Sequence, residues 1–437
     1  MHPWPTCRPA AALAAACLLA AAGATHAHAQ SPESEAAPEK GTFEPGVIPA
    51  PDKPFLVPDL PASVESATQV KSHWFTLKPG LSLLFDYNVI GQDDRNESYV
   101  GPLESQFDVR SARAMLRGTI GTGYKVSYLL AGEYRGFETS PDSDWNVTDV
   151  SVTLPLGTEY VKLTAGKTKE TFGYEMVGDA ANLPQQERVL TPFFVSRSIG
   201  VKLLAVLGKE HRMTLGGGVF DDSWTNPDEL SQSGTDATLR FTGLVRDAHD
   251  GRSFLHLGVA ARYAGADDGS LRFRGRPASN VTPNYVDTET IPGDYSLNLG
   301  LEALWNEGPF SILAEYNQAW LVGTTFDDPT FNGFYVTGSW VISGETRKYD
   351  RTVGYARRVM PTKHWGAPEL VARYGRVDLN DAGITGGAFD LVALGVNWWA
   401  TRRAKLGINW QHIWLDRFDT GERGNSDILI MRLQYVY

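Results

Sequence analysis

Cysteine is all but missing from this 437-residue chain: Cys7 and Cys17 are the only two, and both precede residue 18. Nothing can staple the remainder, which excludes the small cross-linked scaffolds of many secreted domains. Long apolar runs are also lacking. The stretch from Ala10 to Ala24 is too short and too rich in alanine to cross a membrane as a helix, and no later one approaches the required length. Basic charge is in deficit, with 40 Lys and Arg against 51 Asp and Glu, and an acidic total disfavours a nucleic-acid partner. Signals for chemistry are scarce too. His73, His211, His249, His256, His364 and His412 are scattered without metal-ligand spacing, and Gly216 to Gly218 lack the Lys-Ser/Thr and helix that a phosphate-cradling loop needs. No Gly-x-Ser-x-Gly elbow or paired-carboxylate motif stands out, and Asp267-Asp268 and Asp327-Asp328 read as solvated loop acids. An enzyme or adhesin would need a constellation the chain does not offer. No cofactor and no metal are expected.

What is present begins with an export signal. Arg8, the apolar run and the small-residue site Ala27-His28-Ala29 predict cleavage after Ala29, so residues 1–29 are read as a signal peptide. Lipidation at Cys17 competes weakly, because apolar residues continue beyond it. Residues 30–70 follow as a Pro-rich periplasmic segment with too many prolines for a helix or central strand. Residues 71–437 form the expected main domain. There, period-two alternation recurs: Leu81, Leu83, Phe85 and Tyr87, then Leu239 and Phe241, then Phe310, Ile312 and Ala314, then Leu406, Ile408 and Trp410. Each apolar face is unbroken, and each opposite face mixes small, polar and charged side chains.

Connections sharpen the picture. Short links at 121–123, 155–158, 208–210, 248–251, 306–309 and 400–403 alternate with longer polar links at 91–105, 137–144, 169–195, 222–233, 266–292, 323–330, 379–385 and 417–424. One irregularity, Ser343 to Trp365, must count as a long connection on the short-turn side. About sixteen strands result, an even number. The expectation is therefore an all-β, antiparallel transmembrane β-barrel with short periplasmic turns and long external loops. A β-propeller is the runner-up, but no blade-length repeat occurs. The chain closes on Leu429, Met431, Leu433, Tyr435 and Tyr437, the apolar face of a last strand whose other face carries Arg432 and Gln434. Such a strand suits barrel closure and recognition by the barrel-assembly machinery.

Three stretches carry a resemblance. Asp108 to Ile120 (D-V-R-S-A-R-A-M-L-R-G-T-I) is similar to the Arg-rich second strand of the phosphate-selective porin O and P family of Gram-negative outer membranes. Gly166 to Glu175 resembles that family's Gly-x-x-Lys-x-x-Phe-Gly entry to the third external loop. Gly333 to Tyr349, continuing through Glu369 to Asp381, is the longest match. The chain departs in ending on Tyr437 rather than Phe, and in separating Arg110 from Arg113 where the family often has adjacent arginines. The resemblance implies an outer-membrane homotrimer of water-filled barrels, each narrowed by its third loop and drawing small anions such as phosphate past basic side chains.

An anion pore needs cations along a narrow, partly dehydrated passage. Alternation directs Arg113 and Arg117 of the second strand, Lys125 of the third, and Lys162, Lys202, Arg240 and Arg262 of later strands to the lumen, with Arg373 and Arg432 as further candidates. Lys167 and Lys169 stand at the mouth of the third loop and Arg188 lies within it. Glu133, Glu302 and Glu315 also read as inward. A lumen cation that only pairs with a carboxylate is the bland reading of each, and a general or carbohydrate-type diffusion porin is the corresponding alternative.

Overall fold

In a computed structural model, residues 69–134, 145–221, 234–248 and 251–437 are described. The expected signal peptide, most of the Pro-rich segment and the links at 137–144 and 222–233 lie outside these residues. Sixteen antiparallel strands succeed one another: β1 (Phe75–Gln92), β2 (Gln106–Ile120), β3 (Val126–Tyr134), β4 (Trp145–Leu156), β5 (Thr158–Thr168), β6 (Ser198–Leu207), β7 (Met213–Asp221) and β8 (Thr235–Asp247) make the first half. The second half is β9 (Ser253–Gly265), β10 (Tyr295–Glu307), β11 (Phe310–Val322), β12 (Thr330–Val341), β13 (Ala367–Asp381), β14 (Ile384–Trp399), β15 (Ala404–Asp416) and β16 (Gly424–Val436). Each strand pairs with the next, and β16 pairs with β1 from Ser82↔Val436 to Gln92↔Ser426. Closure leaves no free sheet edge, as hydrocarbon surroundings require of a strand-built span.

The wall is inverted relative to a soluble sandwich. Leu83, Phe85, Trp305, Ile312, Trp340, Leu394, Ile408, Trp410 and Leu433 point outward, and most of them are well exposed. On the inner face Asp86, Glu133, Arg240, Glu302, Glu315, Arg373 and Arg432 are buried. A helix, α1 (Asp94–Val100), occupies the first long link, its first turn capped by the Asp93 carboxylate at 2.7 Å from the Asn96 N–H.

Two connections differ from expectation. The link expected at 379–385 is a two-residue turn, Ala382-Gly383, between the paired Asp381 and Ile384. Positive φ at both positions (52° and 85°) lets the paired strands reverse directly. The link between β12 and β13 is long and at the short-turn end, as required. It also folds on itself, Arg347–Asp350 pairing with Tyr355–Val359. This hairpin lies against inner-face groups of the wall: Arg240 donates to the carbonyls of Val353 (3.1 Å) and Gly354 (2.8 Å), and His256 Nδ1 lies 2.7 Å from the Tyr349 hydroxyl.

The connection after β5 packs against inward side chains as well. Phe172, Tyr174, Leu190 and Phe193 form one apolar cluster with Phe273 and Tyr285 of the link after β9 and with Phe331, Tyr335 and Phe389 of the wall. Glu315 on β11 anchors its start by accepting the backbone N–H of Tyr174 (2.6 Å) and Glu175 (3.1 Å) and the Tyr335 hydroxyl (2.6 Å). Asn397 and Gln434 hold its middle through the carbonyls of Pro184 and Ala181.

Candidate functional site: a basic passage beside β1–β3

The site starts from an irregularity in β2. Leu84 and Asp86 of β1 pair with Ser111 and Asp108, so β2 places two residues, Val109 and Arg110, opposite the single Phe85 of β1. A bulge of this kind turns the strand locally and releases it from strict alternation. Arg110, Ser111 and Arg113 consequently all reach the inner face, and Arg110 and Ser111 are buried there.

Facing them, the third connection brings Lys169, Asp179, Arg188 and Arg197. Together with Ser82, Leu84, Met115, Glu133 and Ser196 these line a cavity of about 90 Å³. Five of the lining side chains are basic and two acidic. Arg113 grips Glu133 (2.5 Å), which also accepts the Ser111 hydroxyl, and Arg110 forks onto Glu187 at 2.6 and 3.1 Å. Arg197 pairs with Asp149 at 3.1 Å and Lys169 with Asp179 at 3.2 Å. Arg188 differs: among the described residues it makes no ion pair, and it donates to the carbonyls of Glu175 (2.8 Å) and Gly178 (3.4 Å). Burial pushes the Arg188 guanidinium down to about 10, which leaves it charged at neutral pH. Burial pushes Lys169 down further, to about 7, with Asp179 pulling the other way. Glu187, despite burial that opposes it, is held at about 2 by Arg110 and Arg432.

Of the residues expected from sequence, Arg113, Lys169 and Arg188 meet in this cavity. Arg117 faces the lumen nearer the short-turn end, opposite Lys78, and is exposed; Lys162 shares that inner wall, half-buried. Lys202 is inward and donates to the Lys169 carbonyl at 2.7 Å. Four placements differ from a free lumen cation. Lys125 belongs to the exposed turn before β3, not to the strand. Lys167 pairs in register with Val150 and Ile199 and so takes the outward face. Arg240 and Arg262 are inward but consumed: Arg240 by Glu302 and the hairpin carbonyls, Arg262 by Glu170 (3.0 Å) and Asp236 (2.7 Å). Arg373 clasps Glu175, and Arg432 binds Asp86, Glu187 and the Gln186 carbonyl. Sequence reasoning missed Arg110 and Arg197. The signal for Arg110 was present: Asp108, Arg110, Ser111 and Arg113 break alternation within a single strand.

A closed sixteen-stranded antiparallel barrel, apolar outside and charged inside, is the architecture of an outer-membrane porin. The chain belongs to the phosphate-selective porin O and P family, whose model matches residues 81–437. Porin O of Pseudomonas aeruginosa is 25% identical over 356 residues, covering 72% of this chain and 80% of that protein. An uncharacterized protein of Caulobacter vibrioides is 27% identical over 324 residues, 69% of this chain and 62% of the relative. Among solved structures, the anion-selective porin from Comamonas acidovorans superposes with a TM-score of 0.54 at 13% identity, over 83% of this chain and 100% of its own. The trimer form of OmpT from Vibrio cholerae gives 0.52 at 12%, with the same coverages. At these identities the structural likeness speaks to the fold.

Proposed function

We propose that the barrel is a water-filled diffusion pore of the Gram-negative outer membrane that prefers small anions, phosphate among them, with the third connection folded inward as its narrowest section. The carrying observation is the excess of cations in the cavity between that connection and β1–β3, where Arg188 makes no ion pair among the described residues. Guanidinium forks suit phosphate oxygens, and lysine supplies a rotatable point charge. Lys78, Arg117 and Lys162 on the short-turn side extend the same sign of field and ease release. Delivery by a signal peptide at 1–29, recognition of Leu429 to Tyr437 by the barrel-assembly machinery, a lipid-facing outer wall and a homotrimer, as in the OmpT trimer form, complete the proposal.

A general or carbohydrate-type diffusion pore is the second reading, favoured by the pairing of Arg110, Arg113, Lys169 and Arg197 with carboxylates. Planar-bilayer recordings separate the two. Under a KCl gradient the reversal potential is expected to favour Cl⁻, and added phosphate is expected to block the chloride current. A reversal favouring K⁺ sinks the anion assignment; chloride preference without phosphate block selects the general pore.

A further inference from the structure

We propose that the short-turn rim of the barrel binds the headgroups of anionic phospholipids, through Lys71, Lys125, Lys209 and Lys363 and the exposed aromatic side chains beside them. The lysines come from four separate segments. Lys71 ends the short strand Val70–Lys71, which pairs with Thr76 and Leu77 of β1, and Lys125 closes the β2–β3 turn. Lys209 lies in the β6–β7 turn, and Lys363 in the link between β12 and β13. Antiparallel succession brings all four to the same end of the cylinder, and each is exposed. Among the described residues none of them makes an ion pair.

The acids at this end are mostly engaged by arginines. Arg212 holds Glu210 at 2.6 Å, Arg351 holds Asp247 at 2.5 Å, Arg246 holds Glu307 at 3.4 Å and Arg357 holds Asp350 at 2.5 Å. Glu345 accepts the Thr362 hydroxyl at 2.7 Å. Glu159, exposed on the β4–β5 side of the rim, is the described acid left to answer the four lysines. The opposite end carries the other sign, with Asp94, Glu97, Asp267, Asp268, Asp327 and Asp328 all exposed. A chain that is acidic overall, with a net charge of −11, thus presents one rim whose uncommitted charge is positive.

Charge alone would suit any polyanion, and the aromatics select the lipid. Trp74, Tyr124, Tyr160 and Trp365 are between 37% and 54% exposed. Trp74, Tyr124 and Trp365 each stand within three residues of one of the lysines. Tyr160 stacks at 4.1 Å on His211, which is two residues from Lys209. Such amphipathic rings concentrate where hydrocarbon gives way to headgroups. The apolar wall ends at the same level, with Ile120 and Leu156 exposed as the last residues of β2 and β4. A lysine stem lies along that margin while its ammonium reaches phosphate. Attraction of basic residues to an anionic leaflet dies away within a Debye length, so charges at the rim are the ones that count. The rim therefore sets the height of the barrel in its bilayer and gathers acidic lipid about one end. This inference rests on the outer wall lying in a membrane and is independent of which ions the pore prefers.

The test uses full-length protein in mixed micelles of a neutral detergent with equal phosphatidylglycerol and phosphatidylcholine. Lipid retained by the washed protein, counted by mass spectrometry, is expected to favour phosphatidylglycerol roughly fivefold, and the preference should fade at high salt. The variant Lys71→Gln/Lys125→Gln/Lys209→Gln/Lys363→Gln should lose the preference while its reversal potential in phosphatidylcholine bilayers stays at the wild-type value. The variant Asp267→Asn/Asp268→Asn/Asp327→Asn/Asp328→Asn changes as many charges at the other end and should keep the preference. Equal retention of the two lipids by wild type, an undiminished preference in the lysine variant, or its loss in the aspartate variant overturns the proposal. A lysine variant that shifts the reversal potential with its lipid preference intact assigns the rim to conduction instead. Displacement of phosphatidylglycerol from wild type by soluble polyglutamate, with phosphatidylcholine retained, assigns it to an acidic macromolecule. Retention of neither lipid by wild type would defeat the membrane reading itself.

Discussion

Arg110 and Arg113 stand three residues apart on β2, yet both reach the inner face, because the strand carries one residue more than its partner between Asp108 and Ser111. Regular alternation would have sent one of them to the apolar outer face. Deleting Val109 restores even pairing and turns Arg110 outward, leaving Glu187 with Arg432 alone. The expected loss is about 2–4 kcal/mol, the cost of an arginine on the lipid face near mid-membrane. Urea unfolding from lipid vesicles measures it.

Arg188 makes no ion pair among the described residues and donates to the carbonyls of Glu175 and Gly178, so its charge is expected to be the most open to a passing anion. Arg188→Gln is expected to lower the anion-to-cation permeability ratio roughly fivefold, equivalent to about 1 kcal/mol. Replacing the ion pair as a whole, Arg113→Gln with Glu133→Gln, removes no net charge and should leave the ratio near the wild-type value. Reversal potentials for the two variants give the comparison.

Lys169 is expected to give the proposed anion path a pH dependence. Its pKa is pushed down to about 7 by burial, so the ammonium is present below that pH and lost above it. Anion preference is therefore expected to be greater at pH 5.5 than at pH 8.5, with the change centred near neutrality. Lys169→Arg stays protonated across that range and should flatten the profile. A wild-type profile already flat would remove Lys169 from the conducting path.

Gly354 closes the hairpin of the β12–β13 link with φ of 68°, and a Cβ there would meet the hydroxyls of Thr242 at 2.4 Å and Thr214 at 2.7 Å. Those two threonines bond each other at 2.6 Å and have little room to retreat. Gly354→Val is expected to lift the hairpin from the wall without altering a charge. Single-channel conductance should rise while the permeability ratio holds; unchanged conductance would show that the hairpin does not limit flow.

The wall was the legible part of this chain. Outward residues such as Phe310, Ile312, Ile408 and Trp410 announce themselves, because an apolar outer face and polar contents impose a period of two on every strand. What fills the barrel was less legible. The bulge in β2 depends on pairing with β1, and no single-strand pattern fully encodes a partner's register. Arg197 belongs to an irregular link where alternation has no meaning. Proximity to the third loop, rather than parity, suggested Lys167; alternation from the inward Lys162 puts it on the outer side of β5, whereas Lys169 lies beyond the end of the strand and lines the cavity. The length of the β12–β13 link was evident, but its return into the barrel depends on Arg240, His256 and Glu302, over a hundred residues earlier for Arg240.

Arg432 joins the last strand to Asp86 of the first, 346 residues away in the chain, and to the Gln186 carbonyl and the Glu187 carboxylate of the third connection. The seam between β16 and β1 joins the strands that lie farthest apart in the described barrel sequence. A cation that must find partners in both places couples two events: a cylinder that closed around a misplaced third connection would trap an unanswered guanidinium at its own joint. Closure of the seam and seating of the interior are therefore linked through one guanidinium.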